Sequence, residues 1–249
     1  MSIVAIHGLY KTYKDALEPS LNGISLEIPT SIIFGFLGPN GAGKTTTLSI
    51  LCGLVKPSSG KASILGKDIA TEMQEIKQLI GVVPQDIALF PSLTATENLT
   101  YFGNLYGLKG KALKDKIEHY LDIFGLTNNA HKRVSQYSGG MKRRMNLIAG
   151  ILHDPQLLIL DEPTAGVDVQ SRKMISDFLK SYNKNAGITI LYTSHMLDEA
   201  EKLCDEIAII DHGRILLQGT PQSLIQQQEK CHSLEEVFIQ ITGRSVRDN

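Results

Sequence analysis

Nine consecutive residues of this chain, Gly38-Pro39-Asn40-Gly41-Ala42-Gly43-Lys44-Thr45-Thr46, have the types and spacing to grip a polyphosphate. They match the pattern GxxxxGK[ST], in which glycines let the backbone wrap close to an anion with several N–H groups turned inward. Lys44 would reach the β and γ phosphates, and the Thr45 hydroxyl would hold Mg²⁺. The pair Asp161-Glu162 could serve the same nucleotide. Asp161 would hold Mg²⁺ through its water shell, and Glu162 would polarise the water that attacks the γ-phosphorus, as general base. His195 could bond a γ-phosphate oxygen and keep that water in line. The phosphate loop by itself identifies a nucleotide binder without saying what the nucleotide is for.

These groups need elements that bring them to one place. Ile32-Ile33-Phe34-Gly35-Phe36-Leu37 is an apolar run before the glycines, and Leu48, Leu51 and Leu54 are spaced as a helix after them. The pattern predicts strand, loop and helix start, with the helix N-terminus adding positive partial charge where phosphate oxygens sit. Leu157 to Leu160 and Ile188 to Thr193 are continuous apolar runs of the length of buried parallel strands. Asp161-Glu162 and His195 stand just beyond their carboxyl ends, where ligands of open α/β sheets bind.

Two further positions leave a choice open. Gln85 follows the strand-like Gly81-Val82-Val83-Pro84. It could touch Mg²⁺ or the attacking water, or it could be a surface glutamine, which the residue alone favours. Tyr13 lies between two early strands within residues 3–28; it could stack on an adenine ring or pack at a strand end.

Residues 92–152 change character. Thr94 and Glu97 form a capping box, and Leu113, Ile117, Tyr120, Leu121 and Phe124 make an amphipathic face ended by Gly125. Ser138-Gly139-Gly140 opens a helix expected to bury Met141, Met145, Ile148 and Leu152, and its start could be a second anion site or simply a capped helix end. Lys142-Arg143-Arg144 sits where the helix dipole disfavours cations, so it is expected to face solvent or an anionic partner. Ile207–Ile210 and Ile215–Leu217 predict a hairpin through His212-Gly213. From about Pro221 the chain reads as a polar tail with one short helix carrying Leu234, Val237, Phe238 and Ile241.

The totals set bounds. With 249 residues and net charge −1, the chain has no basic field to recruit nucleic acid. No apolar stretch is long enough to span a membrane, and no signal peptide opens the chain. Cys52, Cys204 and Cys231 lack metal-ligand spacing, and the first two read as small core residues in a reducing compartment.

These pieces, in this order, resemble the ATP-binding subunit of ABC transporters. The phosphate loop, the signature core Ser138-Gly139-Gly140, the pair Asp161-Glu162, the D-loop Asp168, the switch His195 and the Q-loop Gln85 all match. Tyr13 takes the place of the adenine-stacking aromatic. Met141, in place of the usual glutamine, looks like the branch that serves daunorubicin-export-type and lipid-export-type permeases. Ser233 to Phe238 and Thr242-Gly243-Arg244 look like that branch too. Ser31-Ile32 departs from the family's glycine-glutamate, and the loop after Tyr13 is slightly longer.

The resemblance implies an α/β fold with a mainly parallel sheet core, an antiparallel β subdomain and an inserted α-helical subdomain. It implies one ATPase domain over 1–220, with a phosphate-loop core over 1–86 and 155–220, a helical subdomain over 87–154, and a tail over 221–249. ATP and Mg²⁺ are the implied cofactors, with Thr45, Gln85 and Asp161 at the metal and Glu162, His195 and Gln85 at the chemistry. Each ATP would lie between the phosphate loop of one copy and Ser138-Gly139-Gly140 of a second copy, or of a homologous ATPase subunit, in a head-to-tail dimer. Transmembrane permease subunits would receive the motion, placing the chain in the cytoplasm on the inner face of the membrane. The rival readings are an ATPase of the same kind acting in DNA repair or translation without a membrane partner, and a degenerate regulatory subunit. The first usually carries two such domains or a long coiled-coil insertion, and the second lacks catalytic positions that are all present here.

Overall fold

The computed structural model describes residues 2–228 and 231–243; Arg244 lies outside them. β1 (Ser2–Lys11) and β2 (Leu21–Pro29) pair antiparallel, with Val4 opposite Ile28 and Ile6 opposite Leu26. β3 (Ile33–Leu37) runs through the glycine stretch into α1 (Lys44–Leu51). β4 (Ser59–Ile64) returns to pair with β1, and β5 (Lys67–Asp68) completes a sheet of order β2-β1-β4-β5. α2 (Met73–Leu79) leads into β6 (Ile80–Val83). Three helices follow: α3 (Ala95–Leu105), α4 (Gly110–Ile123) and α5 (Gly139–Ile151). The chain then alternates through β7 (Leu157–Asp161), α6 (Val169–Ala186), β8 (Thr189–Ser194), α7 (Leu197–Leu203) and β9 (Glu206–Asp211). It closes with β10 (Arg214–Gly219), α8 (Pro221–Gln226) and α9 (Leu234–Thr242).

The second sheet has the order β10-β9-β3-β8-β7-β6. Its pairings are parallel except for β9 with β10, the hairpin foreseen at His212-Gly213. Both faces are covered, which is why its strands are apolar without a polar alternation. Neighbours along each strand enter opposite cores. Leu158, Leu160, Ile190, Tyr192, Ile207 and Ile209 face the helices. Phe34, Phe36, Leu157, Ile159, Leu191 and Ala208 face the antiparallel sheet, together with Val4, Ile6, Ile24 and Ile28. Each such side chain contributes about 1.5–3 kcal/mol on burial, so the six-stranded sheet is clamped from both sides.

Three local expectations change. Leu48 and Leu51 are buried as foreseen, but α1 ends at Cys52 and Leu54 is 75% exposed beyond it. The chain turns back at Gly53, whose φ of +71° ends the helical path. Met141 is only partly buried, whereas Met145, Ile148 and Leu152 are fully so. The residues after Pro221 are not simply a polar tail: Leu224, Leu234, Val237 and Phe238 are fully buried in the helix-side core. Leu234 N–H also donates to Glu201 in α7 at 3.0 Å. Cys52 and Cys204 are buried, as read from their neighbours. Burial pushes the Cys52 thiol up to about 12, with the Asp161 charge adding to it.

Candidate nucleotide site

Four neighbouring strands, β3, β8, β7 and β6, deliver their carboxyl ends side by side. β3 releases the phosphate loop, β7 ends in Asp161, β8 ends in Ser194 just before His195, and β6 ends two residues before Gln85. A cavity of about 310 Å³ opens there. Ser20, Gly41, Lys44, Thr45, Gln85 and Glu162 are among the residues that line it.

The loop's backbone path requires its glycines. A Cβ on Gly38 would stand 2.2 Å from the Ile210 carbonyl oxygen. Gly43 has φ +109°, and a Cβ there would meet the Ser20 carbonyl oxygen and Leu21 Cδ2, each at 2.7 Å. Gly43 is also the N-cap of α1, with no side chain to occupy the helix's free N–H groups. Those groups are left to point at whatever anion enters. Lys44 folds back over the loop and donates to the Gly38 carbonyl at 2.7 Å and the Pro39 carbonyl at 3.0 Å.

Glu162 is the meeting point of the site. Its Oε1 lies 3.6 Å from Lys44 Nζ, and its Oε2 accepts from Gln85 Nε2 at 3.3 Å. His195 Nδ1 is 3.2 Å from the same Oε2, near enough for an ion pair yet not aligned as a hydrogen bond. Burial lowers the Lys44 ammonium below its ordinary value, and the charge of Glu162 and its hydrogen bond work against that shift. Glu162 has φ +47°, in the left-handed region. A non-glycine residue there carries strain on the order of 1–3 kcal/mol, of the kind that collects at functional positions.

Thr193 ties the two acidic residues to β8. Its hydroxyl donates to Asp161 Oδ1 at 2.7 Å and accepts the Glu162 N–H at 3.0 Å. Neither Thr193 nor Ser20 was foreseen from the sequence. A threonine inside an apolar run reads as a β-branched strand residue, and nothing before the fold says that its hydroxyl faces the next strand.

Among the described residues no group of three His, Cys, Asp or Glu side chains could cage a metal. The oxygen donors near the phosphate loop are instead scattered: the Ser20, Thr45 and Thr46 hydroxyls, the Gln85 amide and the Glu162 carboxylate line the cavity, with the Asp161 charge close enough to act on Lys44. That sparse oxygen set fits Mg²⁺, which keeps several waters and completes its shell on phosphate oxygens.

Ser138, Gly139, Gly140 and Asp168 do not line the cavity. Ser138 caps α5 by accepting the Met141 N–H at 3.2 Å. Asp168 caps α6 through the Ser171 N–H at 2.8 Å, and this contact with the Ser171 hydroxyl holds its carboxyl below the usual range. The two helix starts abut, since a Cβ on Gly140 would fall 2.5 Å from Ser171 Oγ and 3.0 Å from Asp168 Oδ2. Tyr13 also lies off the cavity lining, 41% exposed, with Lys11 Nζ over its ring at 5.1 Å.

Lys142-Arg143-Arg144 corrects an expectation. Arg143 is buried and turns inward rather than to solvent. It donates to the carbonyl oxygens of Gln85 at 2.5 Å and Ala165 at 3.3 Å. Arg144 donates to the Phe124 carbonyl at 2.7 Å. The dipole argument concerned the helix's own N–H groups, but these side chains reach carbonyls of neighbouring loops.

The chain resembles known proteins over most of its length. The ABC transporter family matches residues 21–165. The linearmycin resistance ATP-binding protein LnrL of Bacillus subtilis (strain 168) is 47% identical, over 92% of this chain and 71% of that protein. The doxorubicin resistance ATP-binding protein DrrA of Mycobacterium tuberculosis (strain CDC 1551 / Oshkosh) is 38% identical, over 98% and 72%. A dimeric ATP-binding cassette in a post-hydrolysis state, bound to ADP and Pi, superposes with a TM-score of 0.81 at 25% identity, over 87% of this chain and 98% of that one.

Proposed function

This chain belongs to the ABC transporter family as an ATP-binding, ATP-hydrolysing subunit, and from that premise we propose how its residues divide the work. Glu162 is the general base. The observation that carries this role is its position, buried in a strained backbone and in reach of Lys44, Gln85 and His195 at once. Lys44 and the N–H groups of residues 38–46 take the phosphates. His195 and Gln85 orient the attacking water, and Tyr13 takes the adenine. Mg²⁺, when bound, supplies charge neutralisation on the β and γ phosphates beside Thr45, Gln85 and Asp161.

The second half of the site comes from another copy, or from a homologous ATPase subunit. Ser138-Gly139-Gly140 and Asp168 stand together at abutting helix starts, outside the cavity, which supports a surface that completes a partner's nucleotide rather than its own. ATP then joins two copies head to tail, and hydrolysis releases them.

The motion passes to transmembrane permease subunits through the segment after Gln85. Phe90, Tyr101 and Leu105 are exposed there, and Phe90 packs edge-on against Tyr101 at 5.0 Å. Exposed apolar clusters of this kind favour a partner surface. Among the described residues no helix is long and apolar enough to cross a membrane. In this reading the chain works in the cytoplasm, attached to the inner face of the membrane through the permease. We take residues 1–86 and 155–220 as the core, 87–154 as the helical subdomain and 221–249 as the tail. Relatives whose names speak of drug resistance support export over a role in DNA repair or translation. The test is recovery of partners from membranes with Glu162→Gln and ATP. A multi-span membrane protein in stoichiometric amount supports the reading; ribosomes, nucleic acid or the dimer alone overturn it.

A further inference from the structure

His195 and Glu162 come from different loops and share no aligned hydrogen bond. Thr193 ties the two loops together at their roots, through the Glu162 N–H at 3.0 Å, and a second tie joins them further out. The Thr164 side chain lies two residues beyond Glu162 and is 2% exposed. Its hydroxyl donates to Glu199 Oε2 at 2.9 Å, and Glu199 stands four residues beyond His195, in α7. The other carboxylate oxygen, Oε1, accepts from Ser176 Oγ in α6 at 3.1 Å. The Tyr192 hydroxyl lies 3.2 Å from Thr164 Oγ1. One carboxylate thus joins the loop after β7, the helix that Asp168 caps and the helix that His195 introduces.

We infer that Glu199 is a positioning residue for hydrolysis: through Thr164 it fixes the loop carrying Glu162 against the loop carrying His195. The partly buried carboxylate accepts two hydroxyl donors, a charge-assisted arrangement stronger than a neutral pair. Thr164 is 2% exposed, out of reach of bulk water, so losing Glu199 leaves its hydroxyl only Tyr192 on β8; the tie to α7 is gone and the loop loosens at the step where Glu162 must meet the attacking water. Phosphate binding is untouched, because it rests on residues 38–46 and the start of α1.

The inference depends on Glu162 acting as base, so Glu162→Gln is measured beside the test variants. Steady-state ATP hydrolysis by the full chain is followed for Glu199→Ala, Thr164→Val, Thr164→Ser and Ser176→Ala. Glu199→Ala and Thr164→Val should each lower kcat about tenfold with KM for Mg-ATP within about twofold of wild type. Thr164→Ser, which keeps the hydroxyl, should restore kcat, and Ser176→Ala, which leaves the Thr164 bond, should lower it by less than about twofold. If Glu199→Ala does not fold, Thr164→Val decides alone. Wild-type kcat in folded Thr164→Val, or a rise in KM matching the fall in kcat, overturns the inference while Glu162→Gln stays inactive. An active Glu162→Gln would remove the premise and the inference together.

Discussion

Lys44 Nζ stands 3.6 Å from Glu162 Oε1, and both side chains are more than nine-tenths buried. In the chain without nucleotide these two groups answer each other's charge. In the proposed mechanism the γ-phosphate takes Lys44 when ATP enters, and Glu162 is left facing the phosphorus with Gln85 and His195 beside it. On that reading a single contact links phosphate arrival to the freeing of the base.

That contact has a cost when halved. Lys44→Met leaves Glu162 buried without its counter-charge and should lower the unfolding free energy by about 3 kcal/mol. Adding Glu162→Gln to the same chain should return much of the loss, because the isolated charge is gone. Urea unfolding of both single variants and the double measures it. Strictly additive losses would mean that the pair carries no coupling.

The phosphate loop tests geometry rather than charge. A Cβ on Gly38 meets a backbone oxygen at 2.2 Å, which no rotamer change relieves. Gly38→Ala should cost roughly 2–4 kcal/mol of stability or displace the loop, and abolish nucleotide binding either way. Calorimetric titration with ATP measures this; wild-type affinity would place the loop elsewhere.

Ser138 serves a partner's nucleotide in this account, so its loss should be invisible in one copy. Ser138→Arg should leave folding and monomer nucleotide binding unchanged and remove ATP-induced dimerisation. Sedimentation velocity with and without ATP reads both. An unchanged ATP dimer would show that the α5 start is wrongly assigned.

The cysteines give a readout of the core. Cys52 and Cys204 are buried and Cys231 is half-exposed. In the native chain an aromatic disulfide reagent should label Cys231 first, with the other two reacting only on unfolding. The Cys52 thiol is raised from 9.0 to about 12 in the folded state. The unfolded chain thus loses this proton at lower pH than the folded one, and the stability contributed is complete below pH 9.0 and falls as pH rises towards 12. Cys52→Ala should flatten the decline in melting temperature over that window.

Most of the site could be seen in the residues before the fold was known. Gly38 to Thr46, Asp161-Glu162 and His195 follow apolar runs that can only be buried strands, and strand ends in a parallel sheet converge. What stayed hidden was polar chemistry inside the core. Nothing in the sequence singles out Thr193, Thr164 or Glu199, because their roles depend on which element lies opposite. Arg143 was misplaced for the same reason: helix position predicts where its Cβ points, not where six further atoms reach. The helix α2 has a single buried residue, Ile76, too little periodicity to register. The packing of Leu224 and Phe238 is a long-range event with no local signature.

If Glu162 is the base in a nucleotide site shared by two copies, single-turnover hydrolysis and sedimentation of Glu162→Gln with Mg-ATP read both halves of that role. Hydrolysis should fall by about 10²–10⁴-fold while ATP binding persists, and a stable dimer should form with intact ATP. Hydrolysis at the wild-type rate, or ATP-loaded protein that stays monomeric, would contradict it.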